Sequence, residues 1–385
     1  MTFVFWFSSL AAIYPYLLFP ALLSFFGLFG RGKASRPSVK APPPPITHIL
    51  VVHNEVDIIA TKIEQSITVL ECIPGSELLV VCDHCSDGTP EVARSFDHRQ
   101  IRVLESEGTR GRAGAHNYGM ERAVHEFVIF SDVETIVPIE TVLSMVSCLK
   151  LPDVGCVNAA IVFAVADGDQ VMMASGFYWR FELWLRSLET RLGFNAFSSG
   201  PCMGIRRDLF RNLPPTGDID FTTPLDIVAQ GWRCVQLVDV KAFDSMPTDD
   251  RAEYKARVRM VSKNFLGTVT RWGWVNFIRY PTHSWVIYSH KIMRWLSPFF
   301  LLCVLISTLA LQGAGAIYTM ALVAQALFFL SAVAGFVDYR HDKRWPIFMQ
   351  VYAFMLANAA FIHGVFRACT RSVPEFYTPT RKISS

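Results

Sequence analysis

Residues 125–138 read HEFVIFSDVETIVP. Phe127, Val128, Ile129 and Phe130 form a short unbroken apolar run that stops at two acids one residue apart, Asp132 and Glu134. A run apolar at every position, rather than at alternate ones, suits a strand covered on both faces, as in a parallel sheet with helices on either side. In such sheets ligands bind in the crevice at the carboxyl ends of the strands. Two carboxylates placed there could reach one divalent cation or its water shell, and hard cations such as Mg²⁺ commonly sit between carboxylates and substrate phosphates.

Four other stretches have the same character: THILVVHNE (47–55), ELLVVCD (77–83), QIRVLES (100–106) and VGCVNAAIVF (154–163). Helix-length polar segments separate them, so the expected fold class is α/β, with a mostly parallel sheet. Composition adds a second element. Of 385 residues 51% are hydrophobic and 18% charged, which is too apolar for one ordinary soluble domain and too charged for a pure membrane bundle.

The apolar excess lies at the two ends. Residues 2–30 hold no charge and exceed the roughly 20 residues that span a bilayer, which predicts an N-terminal transmembrane helix at 1–30. A signal peptide fits less well: the apolar region is too long and there is no basic n-region before it. A Pro-rich linker follows at 31–45. Three blocks of near-spanning length, about 293–311, 316–338 and 346–366, predict three more transmembrane helices within 293–366. The expected organisation is completed by the sheet domain at 46–262, an interfacial amphipathic segment rich in Trp, Tyr, Arg and Lys at 263–292, and a tail at 367–385.

Arg31, Lys33, Arg36 and Lys40 follow the first helix, and Arg340, Lys343 and Arg344 join the last two. This bias places the middle domain in the cytoplasm of an integral membrane protein, with the bacterial inner membrane as the expected location. Four crossings would put the tail outside, against the preference of Arg367, Arg371, Arg381 and Lys382. A net charge of +3 carries no nucleic-acid footprint, and nine cysteines without repeating spacing argue for reduced thiols. Cys82 and Cys85 form C-x-x-C, but no second pair with zinc-site spacing follows.

Two further strand ends carry polar groups. VVHNE ends in Asn54 and Glu55, and VVCDHCSDGT supplies Asp83 and Asp87 beside a tight turn. In order along the chain, VVHNE, CDHCSDGT, GRAGAHNYG (111–119), SDVET (131–135), FSSGPCMGIRRDLF (197–210) and DFTTPLDIVAQGWRC (220–234) resemble the inverting family 2 glycosyltransferases, which have the GT-A fold. The resemblance covers about residues 46–262. It implies a nucleotide-sugar donor bound by Asn54, Glu55, Asp83, Asp87, Arg112, Asn117 and Asp132. It also implies Mg²⁺ or Mn²⁺ on Asp132 and Glu134, Asp220 as catalytic base, and an acceptor side at Gly200; Arg257 and Arg259, in the basic segment YKARVRMVSKN (254–264), suit the acceptor side, a phosphate or lipid headgroups.

Some positions depart from the family pattern: Arg112 stands for Lys, His116 for Leu, Ile219 for the first acid of the pair that ends in Asp220, and Glu134 for the last acid of D-x-D. Where processive members carry Q-x-x-R-W, this chain has ARVRM, with Ala256 and Met260 in place of Gln and Trp. Lacking that indole, it is expected to transfer one or a few sugars to a lipid-linked or glycan acceptor, in exopolysaccharide or cell-surface glycan synthesis. The alternative is a catalytically silent nucleotide-binding membrane scaffold or export subunit. Membrane lipids are expected partners, and nucleic acid is not.

Overall fold

A computed structural model describes residues 1–29, 42–164, 170–245, 250–341 and 345–373. Seven strands, β1 Ile46–Val52, β2 Glu77–Cys82, β3 Ile101–Glu105, β4 Phe127–Ser131, β5 Val154–Ala164, β6 Cys202–Arg206 and β7 Arg233–Ser245, form one sheet in the order β3-β2-β1-β4-β6-β5-β7. Only β6 runs against its neighbours; the other pairs are parallel. The sheet is therefore mostly parallel, as the apolar runs imply. Two strands lie outside those runs. β6 is the segment expected on the acceptor side, and β7 carries Gln236, Asp239, Lys241 and Asp244 within its length.

Register aligns the strand ends. Val52 pairs with Cys82 and Cys82 with Glu105, so the residues that follow β1, β2 and β3 leave the sheet at the same edge. Chain order reverses beside β1, where β4 takes the place a simple progression would give to β3's successor on the other flank, and this is where a crevice opens in such sheets. Because β6 is antiparallel, its first residue Cys202 pairs with the last of β4, Ser131, which brings the segment before β6 to that same mouth. β1, β2 and β4 are buried along nearly their whole length. Their side chains fill apolar clusters above and below the sheet, closed by the helices between the strands.

Four helical runs are long and apolar enough to cross a membrane: Thr2–Leu28, Pro281–Ala310, Ala316–Arg340 and Pro346–Cys369. The first is continuous through Pro15 and Pro20, and its outward face, including Phe3, Trp6, Phe7, Leu10 and Leu17, is exposed, as expected of a lipid-facing surface. The second begins at Pro281, not at 293, so the segment expected as interfacial at 263–292 divides there. Its first part ends one helix and forms two short ones, Thr268–Trp272 and Gly273–Arg279. A proline at the first helical position loses no hydrogen bond and starts a new helix without cost.

Polar contacts join the spans: Tyr14 Oη lies 2.8 Å from Ser289 Oγ, Tyr16 Oη 3.1 Å from Ser297 Oγ, and Gln325 Nε2 donates to Thr308 Oγ1 at 3.1 Å. The Asp250–Gly267 helix ties the sheet domain to the last span. A β-carbon on Gly364 would meet Val261 Cβ at 2.7 Å, so the two helices approach as closely as glycine allows.

Candidate active site

The mouth is built from backbone outward. Asp83 follows β2, and its N–H donates to Val52 O at 2.8 Å, which locks the β1 and β2 exits together. Its carboxylate, 6% exposed as a residue, accepts the Gly111 N–H at 3.1 Å on each oxygen. Gly111 has φ of 111°, a conformation side chains rarely adopt, and it starts the Arg112–Arg122 helix. Asp83 thereby orients the helix that carries Arg112. Asn54, at φ 55°, accepts the Ser86 N–H at 2.8 Å and donates to Ser86 Oγ at 3.2 Å, so it joins two strand-end loops. His53 Nδ1 lies 2.6 Å from Asp83 O, on the backbone of the same corner.

Asp132 begins the turn after β4. Its N–H donates to Pro201 O at 3.2 Å, and its carboxylate pairs with the Arg112 guanidinium. Below, Lys62 is buried and donates from Nζ to Thr135 O at 2.5 Å, while His48 Nε2 lies 2.8 Å from Ser131 Oγ. Both ends of the Asp132–Glu134 turn are thus pinned by side chains from below the sheet. Burial lowers Lys62 to about 8, against the pull of neighbours that include Asp132. Burial, then the Lys62 charge, lowers His48 to about 3, so it stays neutral beside that cation.

Asp220 lies in the first turn of the Ile219–Ala229 helix, where its carbonyl accepts the Ser198 N–H at 3.2 Å. Its carboxylate packs on Gly200. Burial, then the Asp218 charge, pushes it up to about 6, with Arg112 opposing and Asp132 adding. Asp220, Arg112 and Asp132 therefore share one electrostatic neighbourhood, although 88 residues separate the two acids in sequence (220 − 132). Asp218 is held by Lys263 Nζ at 3.1 Å, which connects the Asp250–Gly267 helix to this corner.

Several residues expected at the site have other work. Asn117 spends its amide on Leu213, accepting its N–H at 2.8 Å and donating to its carbonyl at 3.0 Å, so it clamps a loop. Asp87 takes the N–H groups of Thr89 at 3.0 Å and Val56 at 3.2 Å, which closes the turn after β2. Arg257 pairs along its own helix with Glu253 at 2.6 Å, and Arg259 is half-buried on the same helix. Glu55 is half-buried, with its N–H on Thr89 Oγ1 at 2.9 Å. Lys62, Asp218 and Lys263 are near the chemistry without any mark in the sequence except that each is charged.

For a metal, the turn offers Asp132, half-buried, and Glu134, exposed. Among the described residues no cluster of three or more His, Cys, Asp or Glu is arranged to hold one. Two carboxylates next to a cationic side chain are the donor set of a hard cation whose remaining ligands come from water and substrate phosphates, so these residues fit Mg²⁺ or Mn²⁺.

Residues 47–213 match the family model described as Glycosyl transferase family 2. The chain is similar to poly-beta-1,6-N-acetyl-D-glucosamine synthase of Staphylococcus epidermidis, 28% identical over 29% of this chain and 27% of that one. It is also similar to beta-monoglucosyldiacylglycerol synthase of Trichormus variabilis, 22% identical over 52% of this chain and 44% of that one. It thus spans less than half the length of these curated relatives. A mannosyltransferase from Pyrobaculum calidifontis, solved with GDP-Man and Mn²⁺, shares the fold with a TM-score of 0.71 and 20% identity over 95% of this chain and 98% of that one.

Proposed function

We propose, from a chain whose residues 47–213 form a glycosyl transferase family 2 domain, that this protein moves a sugar from a nucleotide-sugar donor to a lipid-linked or glycan acceptor with inversion, at the face of a membrane. The observation that carries the reading is the placement of Asp220: a carboxyl raised to about 6 shares one mouth of the sheet with the Arg112–Asp132 pair. The four apolar spans support a membrane anchor, and the basic residues flanking them support a cytoplasmic domain.

The donor diphosphate would draw Arg112 away from Asp132 and take its charge-assisted hydrogen bonds. Glu55 and Asp83, which follow β1 and β2, would accept hydrogen bonds from base or ribose. A divalent cation held by Asp132 and Glu134 would offset the charge that grows on the diphosphate as the glycosidic bond breaks. Asp220 accepts the proton of an acceptor hydroxyl as that oxygen attacks the anomeric carbon from the face opposite the leaving group. A base needs a proton affinity near the working pH, and a carboxyl near 6 is far better suited than an ordinary one.

The test is transfer by detergent-purified protein screened against nucleotide sugars with Mn²⁺ or Mg²⁺. Asp220→Asn is expected to bind donor and fail to transfer. Near-normal turnover by that variant would remove Asp220 from the role, and donor binding with no turnover by the unaltered protein would favour a silent scaffold.

A further inference from the structure

Six ionisable side chains, all largely out of water, join the Gln170–Leu192 helix of the sheet domain to the cytoplasmic end assigned to the span Pro281–Ala310. Glu182, 1% exposed, accepts hydrogen bonds from Arg186 Nε at 3.0 Å, Lys291 Nζ at 2.5 Å and Arg294 Nη1 at 2.8 Å, and faces His290 Nε2 at 3.0 Å. His290 Nδ1 lies 2.5 Å from Glu189 Oε1. Burial alone would raise the Glu182 carboxyl, yet the charges of His290, Lys291 and Arg186 hold it well below the ordinary range.

Stability does not account for such a cluster. Burying ions is expensive, and an apolar packing of equal volume is often as stable or more so. What an ion cluster does supply is direction, and one arm of this one points at the catalytic mouth. Arg186 Nη1 donates to Ser198 O and to Ser199 Oγ, both at 2.9 Å. The Ser198 N–H donates to Asp220 O at 3.2 Å, Ser198 Oγ bonds to Asn158, and the next residue but one, Gly200, lies so near the Asp220 carboxylate that a β-carbon on it would come within 3.2 Å.

We propose that Arg186 is a positioning residue for Asp220: clamped by Glu182 to the membrane span through His290, Lys291 and Arg294, it holds the Ser198–Gly200 segment against the carboxylate that serves as base. This rests on the assignment of Asp220 given above. The planar guanidinium meets the geometry, since Nη1 reaches both acceptors on the segment while Nε and Nη2 stay on Glu182; the single ammonium nitrogen of lysine cannot span both sides. Arg186 makes no contact with the Asp220 carboxylate itself. The charged groups facing that carboxylate are Asp218 from its own helix start, with Lys263 behind it from the Asp250–Gly267 helix, Arg112 from its helix, and Asp132 from the turn after β4. The hydrogen bonds of Arg186 run to Glu182, Ser198 and Ser199, so a change there reaches Asp220 through the Ser198–Gly200 segment and the Asp132 N–H that bonds Pro201 O beside it. The membrane helix is, on this reading, part of the active-site support.

The experiment measures donor and acceptor kinetics and the pH profile of transfer for full-length Arg186→Lys and Ser199→Ala in detergent, with donor affinity followed separately by calorimetry. Arg186→Lys is expected to lower kcat about a hundredfold, the size of effect that an ångström of misplacement produces. Ser199→Ala, which removes one of the two acceptors, is expected to lower kcat roughly fivefold. In both, donor affinity stays within about twofold of the unaltered protein, and the acid limb of the pH profile moves to lower pH as water reaches Asp220. Unchanged kcat and an unmoved acid limb in folded variants overturn the proposal. If Arg186→Lys does not fold, Ser199→Ala decides alone by the same two readouts. An unaltered protein that transfers to no acceptor would defeat the glycosyltransferase reading itself; one that transfers, with variants that match it, defeats only the role of Arg186.

Discussion

A β-carbon placed on Gly200 would come within 3.2 Å of Asp220 Oδ2, so a bare stretch of backbone is the wall against which the proposed base rests. Gly200→Ala must therefore push the carboxylate or move the wall. Transfer is expected to fall about tenfold or more, because small misplacements of a reacting group are costly, while donor affinity measured by calorimetry stays near that of the unaltered protein. A variant with full kcat would show that the carboxylate does not need this contact.

Titration gives a second expectation. Asp220 is raised from 3.8 to about 6, and a base works only when deprotonated, so transfer should rise with pH through about 6. The sign for stability is opposite. A carboxyl whose folded value is raised makes the folded state bind protons more tightly than the unfolded chain, so its ionisation destabilises the fold above about 6. Asp220→Asn should therefore unfold at higher temperature than the unaltered protein at pH 8, and this advantage should shrink as pH falls from 6 toward 4. A constant difference across that window would contradict the shift.

Asn117 separates a structural from a binding role. Its amide makes both of its hydrogen bonds to the backbone of Leu213. Asn117→Ala should cost about 1–3 kcal/mol of stability by leaving the N–H and C=O of Leu213 unpaired, with donor affinity unaltered. Lost donor affinity in a variant of undiminished stability would return Asn117 to the donor site.

The turn that offers the cation carboxylates can be tested from below as well as above. Asp132→Ala should abolish the dependence of donor binding on Mn²⁺ or Mg²⁺. Lys62→Met removes the cation that fixes Thr135 O and should raise the half-saturating Mn²⁺ concentration roughly tenfold, the size seen when groups supporting metal ligands are removed. Calorimetry showing unchanged metal dependence in both variants would take the cation away from this turn.

The parts of the fold that are legible in sequence are those governed by local patterns. Ile46–Val52, Glu77–Cys82 and Phe127–Ser131 declare themselves because strands buried on both faces must be apolar throughout, and the acids that follow them mark where the sheet ends. β6 is harder to read, since its five residues, CMGIR, include a glycine that only close packing against Ile129 and Val157 explains. β7 hides for a different reason: it is the last strand of the sheet, and polar residues interrupt it as they commonly do at a sheet edge.

At the site, residue types announce chemistry but not partners. Nothing near Asn117 indicates a clamp on Leu213, 96 residues away, and Glu182 reads as an ordinary charge on a helix until His290 is beside it. Motifs report what evolution reuses at a mouth; the supports behind it arise from long-range packing, which leaves no local signature.

The antiparallel β6 also dictates an order of events as the chain is made. The pairings among β1, β2, β3 and β4 can all form once Ser131 has been made, but the other side of β4 waits for Cys202–Arg206 to emerge before Ser131 finds Cys202. Until then the nascent chain presents an open strand edge that any passing β-segment could occupy. The interval between synthesis of Ser131 and of Arg206 is thus the one most open to aggregation, and slow elongation within it would lengthen the need for a chaperone.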